Sequence, residues 1–173
     1  MTAARATRLR IPSRRLAFGL IGAFCVLHGM SARSQEVGVI TPGGIRALVG
    51  ASESKVVVVN FWATWCPPCL REFPDIISVY EDYRDSGLEV VAVSMNEADE
   101  SQDIAEFIAS FEPPFPVYRA SVVDETFYEG VLDSWFGEMP MTLIFDVDGE
   151  IAHVHKKPLT YEELSAQVAA LLP

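Results

Sequence analysis

The apolar run Val56-Val57-Val58-Val59-Asn60-Phe61-Trp62-Ala63 leads almost directly into Trp65-Cys66-Pro67-Pro68-Cys69, and the chain beyond it changes to helical periodicity. A run of that kind reads as a strand buried on both faces, as in a parallel sheet. Leu70, Phe73, Ile76, Ile77 and Tyr80 follow at spacings of three and four, predicting a helix from Pro67 to about Asp85 with a kink at Pro74. A buried strand feeding a helix commits the chain to a layered α/β architecture. It also puts a Cys-x-x-Cys pair where strand ends and helix begins.

That position suits thiol–disulfide exchange. The unsatisfied amides and the macrodipole of a helix N-terminus favour a thiolate, so Cys66 can attack a disulfide at neutral pH. Cys69, one turn on, can resolve the mixed disulfide. The competing reading is half of a zinc site, which needs two further ligands. The third cysteine, Cys25, lies in an apolar N-terminal stretch, and the clustered histidines, His153 and His155, alternate along a strand far downstream. Redox chemistry is the stronger reading, and no metal ligands are assigned.

Residues 1 to 34 read as a secretory signal. Arg5, Arg8, Arg10, Arg14 and Arg15 form a positive segment, residues 16 to 30 an apolar one short for a bilayer, and Ala32-Arg33-Ser34 a cleavage site. The alternative is an uncleaved membrane tether through residues 16 to 30. Removing this segment leaves seven basic residues against all 24 acidic ones. Such a balance argues against nucleic acid or an anionic membrane surface as partner. An exported chain works where disulfides persist, which predicts the periplasm or the extracytoplasmic face of a bacterial membrane. Residues 35 to 173 suit one domain. A bridge between such close cysteines adds little stability, so chemistry explains the pair better than stapling does.

Thr41-Pro42 opens a short helix to Val49, and residues 35 to 54 otherwise read as loop. Ser86-Gly87 ends the long helix, and residues 88 to 94 form a second buried strand. Ser101 is placed to cap a helix carrying Ile104, Phe107, Ile108 and Phe111, which Glu112-Pro113-Pro114 terminates. An extended stretch over 115 to 118 and a helix over 125 to 132 follow. Strands at 141 to 145 and 150 to 155 flank Asp146-Val147-Asp148-Gly149, a hairpin turn. Thr160 and Glu163 form the capping box of a last helix. The order predicts a parallel core finished by an antiparallel hairpin.

With Trp62-Ala63-Thr64-Trp65-Cys66-Pro67-Pro68-Cys69 and a Met139-Pro140 step before the strand Met141-Thr142-Leu143-Ile144-Phe145, residues 41 to 173 resemble a thioredoxin-fold protein. More narrowly they resemble the exported TlpA/ResA-like thiol-disulfide oxidoreductases. The resemblance implies a central mixed sheet with helices on both faces and a βα insertion, which residues 96 to 118 can supply. Asn60 stands where thioredoxins keep a buried acid, and Glu72 matches the glutamate of the ResA-like pattern that serves as acid–base group. An exposed helix carboxylate is the alternative for Glu72. The family pattern also implies a cis bond before Pro140, with the Met139 backbone pairing an extended substrate beside the disulfide. A trans proline at the first residue of a strand is the alternative. Trp65, Pro67 and Pro68 complete the expected substrate surface. Trp62 either joins it or is core, and Trp135 reads as core. Two features depart from the family: the N-terminal β-hairpin is not evident, and Met141 replaces the glutamate that cytochrome c maturation reductants carry after the cis-proline.

Pro67 and Pro68 lack N–H groups, so a Cys66 thiolate there is stabilised less than in strongly oxidising dithiol proteins. The expectation is a protein disulfide reductase with no cofactor beyond its own cysteine pair. It would act on disulfide-bearing exported proteins and be recharged by a membrane thiol donor. The alternatives are a disulfide oxidase or isomerase, and a copper chaperone using Cys66, Cys69 and His155.

Overall fold

A computed structural model describes residues 37–52 and 55–173. The expected signal or tether, with Cys25, lies outside the described residues. Among those described, no helix is long and apolar enough to cross a membrane.

The chain runs β1 (Gly38–Ile40), α1 (Pro42–Ala51), β2 (Val56–Trp62), α2 (Pro67–Tyr83), β3 (Leu88–Ser94), α3 (Ser101–Phe111), β4 (Val117–Ala120), α4 (Glu125–Val131), β5 (Met141–Phe145), β6 (Ile151–His155) and α5 (Tyr161–Leu171). The six strands form one sheet in the order β1-β4-β3-β2-β5-β6. The first four in that order are parallel, and β5 runs antiparallel to both β2 and β6. This is the expected thioredoxin-like fold, with β2 at its centre and buried at every position.

Strand β1 is the element that sequence reading missed. Three residues carry no measurable periodicity, and the strand exists only through its parallel pairing to β4, Gly38 opposite Tyr118 and Ile40 opposite Ala120. Gly38 leaves room for the Tyr118 ring, which an added Cβ would approach to 3.1 Å.

Thr41 caps α1 by accepting the Gly44 N–H at 3.0 Å. Helix α2 runs through Pro74 and ends in a 3-10 turn, Arg84–Ser86, before Gly87 at φ +103°. Ser101 is not the cap of α3. A 3-10 turn, Ala98–Glu100, precedes that helix, and Glu97 and Glu100 cap the turn reciprocally, two carboxylates meeting backbone N–H groups that Ser101 does not reach. The Thr160–Glu163 capping box of α5 is as expected.

Alternation in β2 divides the core. Trp62 packs between Phe73 of α2 and Phe107 of α3, with centroids at 5.3 and 4.2 Å. Phe61, on the opposite face, lies 4.7 Å from Trp135, which in turn meets Tyr128 of α4 at 4.9 Å. Both Trp62 and Trp135 are core residues. In the hairpin, His153 and His155 are half-buried, and His155 Nε2 lies 2.7 Å from Gln167 Oε1 of α5. The exposed positions of β6 are Ile151 and Val154. His155 lies opposite the buried Thr142, its partner in β5, and the ladder shifts register between Ile144 and Phe145, where Ile151 pairs.

Candidate functional site

The site begins where β2 gives out. Trp62 ends the strand, its carbonyl accepting the Met95 N–H at 2.7 Å, and the Cys66 N–H bonds back to the Ala63 carbonyl at 3.1 Å. That turn sets Cys66 as the N-cap of α2, with Pro67 and Pro68 next. The Cys66 N–H is used in the turn and the prolines have none. Cys69 is therefore the first helical residue with an N–H to offer the Cys66 sulfur.

Cys66 and Cys69 are joined as a disulfide with Cα atoms 5.3 Å apart. Cys69 is fully buried and Cys66 is 6% exposed. Cys66 is the more accessible of the two sulfurs, but it is less open than a helix-start position implies. Bonding to a buried partner draws its sulfur inward.

Apolar side chains flank it in the chain: Trp65 is 55% exposed, Pro67 is exposed and Pro68 is half-buried. In the loop before Pro140, Phe136 is 71% exposed and Met139 is half-buried. The Met139–Pro140 bond is cis and Pro140 is buried. Met139 lies just past the last β2–β5 pair, Phe61 opposite Met141, so the β5 register places Pro140 level with Trp62 at the same end of the sheet as Cys66. The loop leading to Pro140 ties itself down. Trp135 Nε1 donates to the Glu138 carbonyl, and the Phe136 N–H donates to the Glu138 carboxylate, both at 2.9 Å. That backbone donor, joined by Lys156, holds the Glu138 carboxyl below its usual range.

Glu72 is not an exposed helix carboxylate. It is 3% exposed on the inner face of α2. Its Oε1 accepts from Asn60 Nδ2 and its Oε2 from the Leu159 N–H, each at 2.9 Å. Burial pushes its pKa from 4.5 up to about 7, against the two hydrogen bonds that favour the ion. A carboxyl with that value, three residues beyond Cys69, can take and give a proton at neutral pH. Asn60 Nδ2 also donates to Thr142 Oγ1 at 3.0 Å, while Asn60 Oδ1 and Trp62 Nε1 are buried without partners.

Two positioning residues escaped sequence reading. Asn96 Oδ1 accepts the Thr64 N–H at 3.0 Å and the Ser94 hydroxyl at 2.8 Å, and its Nδ2 donates to Thr64 Oγ1 at 2.7 Å. Asn96 thus clamps the turn that presents Trp65 and Cys66. Thr142 lies in an apolar strand where nothing in the sequence distinguishes it. For the copper alternative, no group of three or more His, Cys, Asp or Glu side chains among the described residues is arranged to hold a metal ion.

The family model described as AhpC/TSA matches residues 46–154, a span that holds the cysteine pair, Glu72 and Pro140 together. The chain belongs to the AhpC/TSA family. Within it, the chain is 31% identical over 122 residues to the thiol-disulfide oxidoreductase ResA of Halalkalibacterium halodurans, covering 70% of this chain and 65% of that one. To ResA of Oceanobacillus iheyensis it is 33% identical, covering 70% and 59%. It therefore spans less than two thirds of the length of these curated relatives. Among solved structures, a thiol:disulfide interchange protein of the thioredoxin family from Chlorobium tepidum superposes with a TM-score of 0.63 at 25% identity, over 71% of this chain and 83% of that one.

Proposed function

We propose that this member of the AhpC/TSA family is an extracytoplasmic thiol-disulfide oxidoreductase that works as a reductant of exported proteins. The observation that carries the reading is the arrangement at one helix start: a Cys66–Cys69 disulfide in which Cys66 is the more accessible sulfur, with Glu72 buried a turn beyond Cys69. The names of the ResA relatives support its coarser part, thiol–disulfide exchange.

In the reduced form the Cys66 thiolate attacks one sulfur of a substrate disulfide, and the other substrate sulfur leaves as a thiolate. Cys69 gives its thiol proton to the Glu72 carboxylate and attacks the Cys66 sulfur. The Cys66–Cys69 disulfide closes and the second substrate sulfur departs as a thiolate. Two electrons pass from the cysteine pair to the substrate. Protons from Glu72 and water convert its thiolates to thiols.

Trp65, Pro67, Pro68, Met139 and Pro140 form the substrate surface, with the Met139 backbone pairing the extended segment that carries the disulfide. Pro67 and Pro68 withhold two amides from the Cys66 thiolate, so the reduced form is not held strongly and electrons flow outward. No cofactor beyond the cysteine pair takes part. A membrane thiol donor restores the dithiol. The arginine-rich, apolar first 34 residues support export to the periplasm or the extracytoplasmic face of a bacterial membrane, by cleavage or by a tether through residues 16–30.

Trapping tests this reading. Cys69→Ser should accumulate mixed disulfides through Cys66 with exported, cysteine-bearing proteins in the intact cell, and Cys66→Ser should give none. No adducts with Cys69→Ser would overturn it.

A further inference from the structure

Asn60 is buried at the junction of Glu72 and Thr142, and its hydrogen bonding fits only one charge state of Glu72. Nδ2 donates to Glu72 Oε1 and to Thr142 Oγ1, and Oδ1 has no partner. That arrangement serves an ionised carboxylate. When Glu72 takes a proton, Oε2 remains an acceptor because it faces the Leu159 N–H, so the proton must sit on Oε1. There it meets Nδ2, donor against donor.

A half-turn of the amide removes the conflict. Oδ1 then accepts from Glu72 Oε1 and from the Thr142 hydroxyl, which can donate as well as accept. One amide atom is left over in each arrangement, Oδ1 in the first and Nδ2 in the second, so that cost does not choose between them. Terminal amide torsions are broad and twofold, which keeps both orientations accessible. A valine at 142 could not reverse its role, and an aspartate at 60 would set a second carboxylate against Glu72.

We propose that Asn60 and Thr142 form a two-state hydrogen-bond switch that turns over as Glu72 gains or loses its proton, keeping the buried carboxyl satisfied in both forms. The switch makes Asn60 and Thr142 positioning residues for proton transfer, and it rests on the reading of Glu72 as proton acceptor for Cys69. The elevated pKa of Glu72 puts the turnover near neutrality.

The groups that face Glu72 are few. Asp75 lies on its own helix, β2 and β5 supply the uncharged Asn60 and Thr142, and the 156–160 loop supplies the Leu159 backbone. Next along the same rung is His155 of β6, bonded to Gln167 of α5. Glu163 of α5 is occupied by Thr160 and Lys157.

The test uses the full-length oxidised protein, isotopically labelled, titrated from about pH 5 to about pH 9 so that Glu72 crosses its midpoint. The NOE between the Asn60 side-chain amide protons and the Thr142 methyl is followed, with the Glu72 carboxyl carbon reporting its charge. The NOE should be strong on the alkaline side and lost on the acid side, with the midpoint of Glu72. Thr142→Ser should keep the titration of the Asn60 amide signals. His155→Gln should keep the NOE midpoint, tying it to Glu72 rather than to the imidazole. Glu72→Gln presents an NH₂ to Asn60 and should hold the acid-side orientation at every pH. A wild-type NOE that persists across the range, or a Glu72 that does not titrate in it, overturns the switch. Disulfide exchange by the same sample is measured separately. An inactive protein whose NOE turns over retains the switch and loses the proposed reaction, whereas an active one with a constant NOE loses the switch alone.

Discussion

Asn96 and Thr64 are bonded twice: Asn96 Oδ1 accepts the Thr64 N–H at 3.0 Å and Asn96 Nδ2 donates to the Thr64 hydroxyl at 2.7 Å. The pair joins the segment after β3 to the turn before Cys66, so the position of the reactive sulfur depends on a residue far from it in sequence.

Asn96→Ala should therefore act on stability and rate together. Removing a fully buried amide leaves the Thr64 N–H and the Ser94 hydroxyl proton without acceptors, at a cost of about 2 to 3 kcal/mol. The rate of mixed-disulfide formation at Cys66 should fall about tenfold as the turn loosens. Urea unfolding and stopped-flow thiol exchange measure the two. A destabilised variant with an unchanged exchange rate would restrict Asn96 to a structural role.

Glu72 should make stability depend on pH. Its pKa rises from 4.5 to about 7 on folding, so between those values the folded protein holds a proton that the unfolded chain has released. The Glu72 contribution to stability is then greatest below pH 4.5, falls as pH rises to about 7, and levels off, a loss on the order of 3 kcal/mol. Glu72→Gln removes the dependence. The stability difference between wild type and variant should change by about that amount between about pH 4 and about pH 8. A constant difference would place the Glu72 pKa near its usual value.

The chemistry at this site was partly legible in the sequence. The strand-to-helix junction, the cysteine pair, the Thr160–Glu163 box and the Asp146–Gly149 turn all carry local signals, and each sits where those signals place it. The burial of Glu72 had a signal too. Cys69, Glu72, Phe73, Ile76 and Val79 are the buried residues of α2, so Glu72 falls on the apolar stripe rather than opposite it. The pairing of β1 with β4 and the Asn96 clamp had none, since both depend on residues distant in sequence meeting across the sheet. The meeting of His155 with Gln167 had none either: alternation identifies two faces of a strand but not which one α5 covers.

Trp65→Ala should separate binding from folding. The side chain is 55% exposed, so unfolding free energy should change by less than about 1 kcal/mol. In the proposed function it is an aromatic anchor for protein substrates beside Cys66. Its loss should lower kcat/KM for a disulfide-bonded polypeptide about tenfold, by raising KM. Reduction of glutathione disulfide, too small to reach Trp65, should be unaffected. An equal loss on both substrates would mean that Trp65 tunes the cysteine pair instead.

Gly137→Ala should disturb the loop before Pro140. Gly137 has φ +90°, and an added Cβ would lie 2.9 Å from the Tyr128 ring. Left-handed backbone and ring clash together should cost about 1 to 3 kcal/mol. Thermal unfolding measures the cost, and an unchanged Tm would show that the loop moves freely off α4.

The central claim is that the Cys66–Cys69 pair gives electrons away. Its most direct measurement is the equilibrium redox potential of the full-length protein, read by thiol trapping across glutathione and dithiothreitol buffers. With two prolines in place of amides at the start of α2, the expected value is near or below the thioredoxin figure of about −270 mV. A value approaching the about −120 mV of strongly oxidising dithiol proteins would contradict the account and make the protein a donor of disulfides.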